Sequence, residues 1–203
     1  MSIAGKVPVG SSGVLQWSTS SKRSVRPIAF QVAIPVLFCF LISVAAQVRI
    51  LVPGTLIPMT LQSLIVLIAG LILPPSMGVA ALLLYLVVGS AGAPVFASQL
   101  GLAGVTGGYL LAFPVSVLIM GFLASGNPAS WFRLLFAGIA GLLVIFALGV
   151  WWASWQLGGW SAAVGVGALP FLPKAMIELV FAVSLVRFLD LRRFFCRGTR
   201  DVG

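Results

Sequence analysis

Six apolar runs, separated by short breaks rich in Gly, Pro and basic residues, set the pattern of this chain. They lie at about 28–50, 56–73, 78–91, 107–123, 132–152 and 171–189. A membrane-spanning helix needs about 20 mostly apolar residues, and on that rule each run predicts a span. Pro35 predicts a kink in the first. The second run stops at Pro74-Pro75 and the third runs towards Gly92 and Pro94. These two read as short or re-entrant helices, which are tolerated where protein or a cavity covers the backbone. The expected fold is an all-α membrane protein, a bundle of six transmembrane helices with an outward-facing ligand pocket. Residues 28–189 form that domain. Residues 1–27 are Ser- and Gly-rich, carry four basic residues and lack a hydrophobic period, which predicts a disordered cytoplasmic tail. Residues 190–203 form a second basic tail. No small-residue cleavage pattern follows the first apolar run, so it reads as a span and not as a cleaved signal. No internal repeat of the kind found in many secondary transporters is visible.

Composition sharpens this picture. Of 203 residues, 61% are hydrophobic and 7% are charged, against about 25% charged in a soluble domain. There are twelve Lys and Arg, three acids (Glu178, Asp190, Asp201) and no His. That leaves almost nothing for general acid–base chemistry or metal ligation, and no nucleophile–base pair is apparent. The chain is therefore not expected to be an enzyme and needs no cofactor. A net charge of +9 raises the question of nucleic acid, but the charges gather at the chain ends, so membrane lipid is the expected neighbour and nucleic acid is not. Cytoplasmic segments collect Lys and Arg. With both ends inside, ten basic residues fall on the cytoplasmic side and only Arg49 and Lys174 outside. The expected location is the bacterial inner membrane, multi-pass, with both termini cytoplasmic. Cys39 and Cys196 show no paired spacing and imply neither disulfide nor zinc site.

Charges near the spans narrow the site. Lys174 and Glu178 are four apart and share a helix face. Two readings stand: a local ion pair with a snorkelling lysine, or the wall of an outward-facing pocket for a small polar ligand. In the second, the ammonium meets a carboxylate and Glu178 accepts N–H groups. Thr60 and Gln62 stand at the outer start of the second span. Gln99, Thr106 and Tyr109 stand in or just after the outer loop before the fourth, beside Gly101, Gly104, Gly107 and Gly108. That glycine-rich stretch lacks the Lys-Ser/Thr ending of a phosphate loop. Trp151, Trp152, Trp155 and Trp160 are expected beyond the fifth span, as an interfacial belt or as a stacking surface. No ATP site or chain of buried carboxylates is visible, so the chain reads as a binding module that a partner drives.

The residues resemble the BioY family, the biotin-specific membrane subunits of energy-coupling factor transporters. The resemblance runs from Ala46-Gln47 through Pro58-Met59-Thr60-Leu61-Gln62-Ser63-Leu64. It is strongest in Tyr85-Leu86-Val87-Val88-Gly89-Ser90-Ala91-Gly92-Ala93-Pro94-Val95-Phe96-Ala97. It resumes at Thr106-Gly107-Gly108-Tyr109-Leu110 and ends in Leu169-Pro170-Phe171-Leu172-Pro173. It implies biotin as ligand, no cofactor, and a partner module of a membrane coupling subunit and an ATPase pair. It also implies a ligand site built from Thr60, Gln62, Phe96, Gln99, Thr106, Gly107, Gly108, Tyr109, Lys174 and Glu178. Small residues on the first span are implied as the contact with the coupling subunit, here Ala29 with Ala33 and Cys39 with Ser43, since small residues let helices approach closely. The chain departs from the family where Gly-Asp-x-x-Lys usually follows Leu-Pro-Phe-x-Pro. Here Lys174-Ala175-Met176-Ile177-Glu178 follows, with acid and base reversed. The alternatives are another small vitamin or carboxylate as ligand, or a membrane assembly protein with no ligand.

Overall fold

Apolar runs become helices because a backbone in hydrocarbon must satisfy its own polar groups. The computed structural model describes residues 27–50, 57–125 and 130–189. In chain order these fold as α1 (Ile28–Gln47), β1 (Arg49–Ile50), β2 (Met59–Thr60), α2 (Gln62–Ile72), α3 (Pro75–Ser90), α4 (Gly107–Leu123), α5 (Trp131–Gln156), α6 (Trp160–Gly167) and α7 (Leu172–Phe188). Both basic tails, with Asp190, Asp201 and Cys196, lie outside the described residues.

The boundaries depart from the hydropathy reading at four places. The first helix stops at Gln47, and Arg49-Ile50 instead pairs antiparallel with Met59-Thr60. The second helix begins at Gln62 and not at residue 56. Pro74-Pro75 ends one helix and opens the next, because Pro75 occupies the first turn of α3, where a missing N–H costs nothing. The fifth helix runs on to Gln156, so Trp151, Trp152 and Trp155 belong to it, and Trp160 opens the separate helix α6.

At 11 residues, α2 covers roughly 16 Å, about half a hydrocarbon core. It is tolerated because protein surrounds it: α2 packs on α1, α3, α4, α5 and α7, and seven of its residues are buried. The largest helix–helix contact joins α4 and α5. Glycines on α5 make it possible, since a Cβ at Gly141 would strike Met120 and one at Gly149 would strike the Tyr109 ring. The outside of the bundle is apolar. Phe40, Phe122, Phe136, Leu143 and Ile177 are each more than half exposed, a surface suited to lipid and not to water. The protein is a multi-pass membrane protein.

Candidate functional site

The polar residues that the hydropathy pattern leaves inside the bundle gather at one end of α2 and α7. Pro173 in the first turn of α7 sets that helix so that its first two turns carry Lys174 and Glu178. Lys174 Nζ lies 2.7 Å from Glu178 Oε1. Ser63, in the first turn of α2, joins them: its hydroxyl donates to Glu178 Oε2 at 2.6 Å and accepts from Lys174 Nζ at 2.8 Å. Among the described residues no neutral donor reaches Glu178 Oε1, so the ammonium is its one partner. The Glu178 side chain is 7% exposed and that of Lys174 is 20% exposed. A carboxylate this deep persists only when paired and hydrogen-bonded, and both conditions hold here.

One residue earlier on α2, a neutral chain runs the other way. Thr60 donates to Gln62 Oε1 at 3.1 Å, Gln62 Nε2 donates to the Tyr85 hydroxyl at 2.6 Å, and Tyr85 donates to the Val95 carbonyl at 3.1 Å. Tyr85 is fully buried. The chain of bonds ties the start of α2 to the segment after α3. Phe96 there meets Tyr85 edge-on, with ring centroids 5.3 Å apart, and its ring fills the space a Cβ at Gly89 would need.

Between these two systems lies a cavity of about 90 Å³. Thr60, Gln62, Ser63, Thr106, Tyr109 and Lys174 supply its polar wall, and Leu110, Phe113, Leu142, Ile145, Phe146 and Phe171 its apolar wall. Aromatic and aliphatic walls with a few convergent polar groups are what small-ligand sites look like. Tyr109 spans the cavity towards α6 and donates to the Gly167 carbonyl at 2.7 Å. The turn before α4 is pinned from α5, where Trp152 Nε1 donates to the Gly104 carbonyl and Gln156 Nε2 to the Ala103 carbonyl, both at 3.0 Å. Gly101 in that turn has φ +51, a left-handed conformation open to glycine.

The cavity brings together five of the site residues expected from sequence: Thr60, Gln62, Thr106, Tyr109 and Lys174. Glu178 stands behind Lys174 and off the wall. Gly107 and Gly108 are packing positions, where a Cβ would strike the Leu102 carbonyl and Trp152. Phe96 and Gln99 line a second concavity of about 600 Å³ with Gln47 and Arg49. There Arg49 donates to Gln47 Oε1 at 2.8 Å, and Gln47 donates to the Pro94 carbonyl at 3.1 Å. On α1, Ala29 and Ala33 are exposed. Cys39 is buried in the core, and Ser43 donates within the helix to the Cys39 carbonyl at 2.8 Å. Ser63 was not singled out as a ligand residue by sequence reasoning, because one serine in an apolar run looks like packing. Its place one residue after Gln62 was the available signal. Among the described residues, no group of three His, Cys, Asp or Glu gathers as a metal site would require.

Residues 18–194 match the sequence profile of the BioY family. A probable biotin transporter BioY of Pyrococcus horikoshii is 36% identical, covering 80% of this chain and 97% of its own length. The biotin transporter BioY of Thermotoga maritima is 36% identical over 73% of this chain and 89% of its own length. A solved structure, the S-component for biotin from an ECF-type ABC transporter, superposes with a TM-score of 0.70. It covers 80% of this chain and 92% of that one at 22% identity, and so shares the fold.

Proposed function

The chain belongs to the BioY family, and on that premise we propose that it binds biotin in the cavity lined by Lys174. In this reading it is the substrate-binding membrane subunit of an energy-coupling factor transporter. The observation that carries the reading is the convergence of Ser63, Tyr109, Gln62 and Lys174 on one aromatic-walled cavity. Biotin pairs an apolar sulfur-containing ring and alkyl tail with a ureido group and a carboxylate. The walls suit the first and the polar side chains the second. Relatives named as biotin transporters support the same choice.

Nothing in the described residues supplies energy, so a coupling subunit with an ATPase pair is part of the proposal. The exposed Ala29–Ala33 face of α1 is the proposed contact, since small residues allow close helix approach. Sidedness follows from charge: both basic tails and Arg133 face the cytoplasm, and the cavity opens outward.

The test is retention of radiolabelled vitamins by the purified full chain in detergent. Biotin is retained, thiamine and riboflavin are not, and Lys174→Ala releases the biotin. Retention of a different vitamin, or of none, contradicts the proposal.

A further inference from the structure

Two rows of exposed apolar side chains lead up to the larger concavity, one on α1 and one on α3. Phe40 and Val44 form the first row, Leu83 and Val87 the second. Gln47 follows Phe40 and Val44 at spacings of seven and three, and Ser90 follows Leu83 and Val87 at the same spacings, so each polar residue continues the helix face of its row. The two helices pack together, and Gln47 and Ser90 both line the concavity. An apolar strip on each helix therefore ends under one polar cup. Depth fits as well. At 20 residues, α1 is about 30 Å long, the thickness of a hydrocarbon core, so Arg49, two residues past its end, falls at headgroup level.

The cup is electropositive. Arg49 is the one charged side chain on its wall among the described residues. Its guanidinium donates to Gln47 Oε1 at 2.8 Å, and Gln47 Nε2 is tied to the Pro94 carbonyl at 3.1 Å. These bonds hold the guanidinium at the cup without cancelling its charge. The only carboxylate among the described residues is Glu178, which Lys174 and Ser63 engage. Ser98 and Gln99 add a hydroxyl and an amide to the wall. A volume of about 600 Å³ lies within the range of small-ligand sites.

We propose that this concavity binds the headgroup of an anionic phospholipid, with Arg49 on the phosphate and the acyl chains along the Phe40–Val44 and Leu83–Val87 rows. A guanidinium fork matches phosphate oxygens. A zwitterionic headgroup would bring a cation for which the wall offers no carboxylate. A glycerol headgroup brings hydroxyls that Ser90, Ser98 and Gln99 can meet. A free anion would use Arg49 and leave the apolar rows idle. The proposal is independent of the biotin reading, because the two concavities share no lining residue.

Photo-crosslinking of the full chain in phosphatidylcholine vesicles tests it. The probes are phosphatidylglycerol and phosphatidylcholine with the same photoreactive acyl chain, and mass spectrometry maps the label. Label within 40–48 and 83–90 should be about fivefold or more stronger with phosphatidylglycerol, the gain expected from one basic residue facing an anionic lipid. Arg49→Gln should bring that ratio to within about twofold of one, and Arg49→Lys should keep most of it. The melting temperature of each variant in detergent checks that it folds, and the wild-type ratio stands without either. Equal labelling of these rows by the two lipids, or a preference that Arg49→Gln leaves intact, overturns the proposal. Suppression of the label by excess inorganic phosphate would assign the cup to a free anion, and suppression by excess biotin would assign it to the transported ligand. Either result also overturns it.

Discussion

Gln62 and Ser63 are consecutive in the first turn of α2, yet they belong to two polar systems of opposite kind. Successive helical residues point about 100° apart, so Gln62 reaches Tyr85 on α3 and Ser63 reaches the ion pair on α7. The Gln62 side is neutral and closes on a backbone carbonyl at Val95. It fixes the segment that carries Phe96. The Ser63 side is charged and internally balanced, and Lys174 and Ser63 line the cavity. One turn of helix thus divides the frame that holds the fold from the wall of the proposed ligand cavity. A neutral network holds the frame without importing charge into the bundle. On the other side the ammonium of Lys174 is held beside its counter-charge on Glu178.

Single substitutions should separate the two sides. The largest effect belongs to Lys174→Met, which strands Glu178 in the bundle. It should cost about 3–5 kcal/mol of stability, read as a lower melting temperature in detergent. Adding Glu178→Met should restore most of the melting temperature and none of the ligand binding. Recovery of both would mean the pair is only structural. On the neutral side, Tyr85→Phe removes the bonds to the Val95 carbonyl and from Gln62 Nε2 and should cost about 1–3 kcal/mol. Calorimetry would detect that loss, while biotin should still be retained in preference to thiamine and riboflavin. Tyr109→Phe removes the bond to the Gly167 carbonyl at about 1 kcal/mol, and faster ligand release in a filter assay should accompany it, because α6 is then less tied to the cavity wall. The smallest effect is expected at the start of α5. Arg133 is exposed and donates to the Ser125 carbonyl at 3.0 Å, so Arg133→Ala should change stability by about 0.5 kcal/mol or less and leave binding unchanged.

Much of the bundle was legible because lipid makes hydropathy a direct reading of where helices lie. The limits of that reading appear where apolar sequence is not helical. Val48, Arg49 and Ile50 continue the first apolar run, but β1 pairing with β2 takes Arg49-Ile50, and hydropathy does not distinguish a strand from a helix end. The α6 segment Trp160–Gly167 is short and Gly-flanked, too short to register as a span and easily read as an aromatic belt. Within the site, Lys174 and Glu178 stood out because charge is rare in this chain. Their spacing gave the shared face and the ion pair. It did not give which of the two fronts the cavity, since that depends on how α7 is turned against Ser63 of α2. Gln99 was polar and close in sequence to the Thr106–Tyr109 stretch, yet the turn around Gly101 carries it to the other concavity.

The ligand is proposed to occupy the cavity between α2, α4 and α7 and not the larger concavity beside Arg49. Photo-crosslinking the purified protein with a photoreactive biotin derivative, with excess biotin as competitor and mass spectrometry to map the label, addresses it most directly. Biotin-sensitive label is expected within 57–63, 106–113 and 167–175. Label confined to 89–103, or label that free biotin does not suppress, would contradict it.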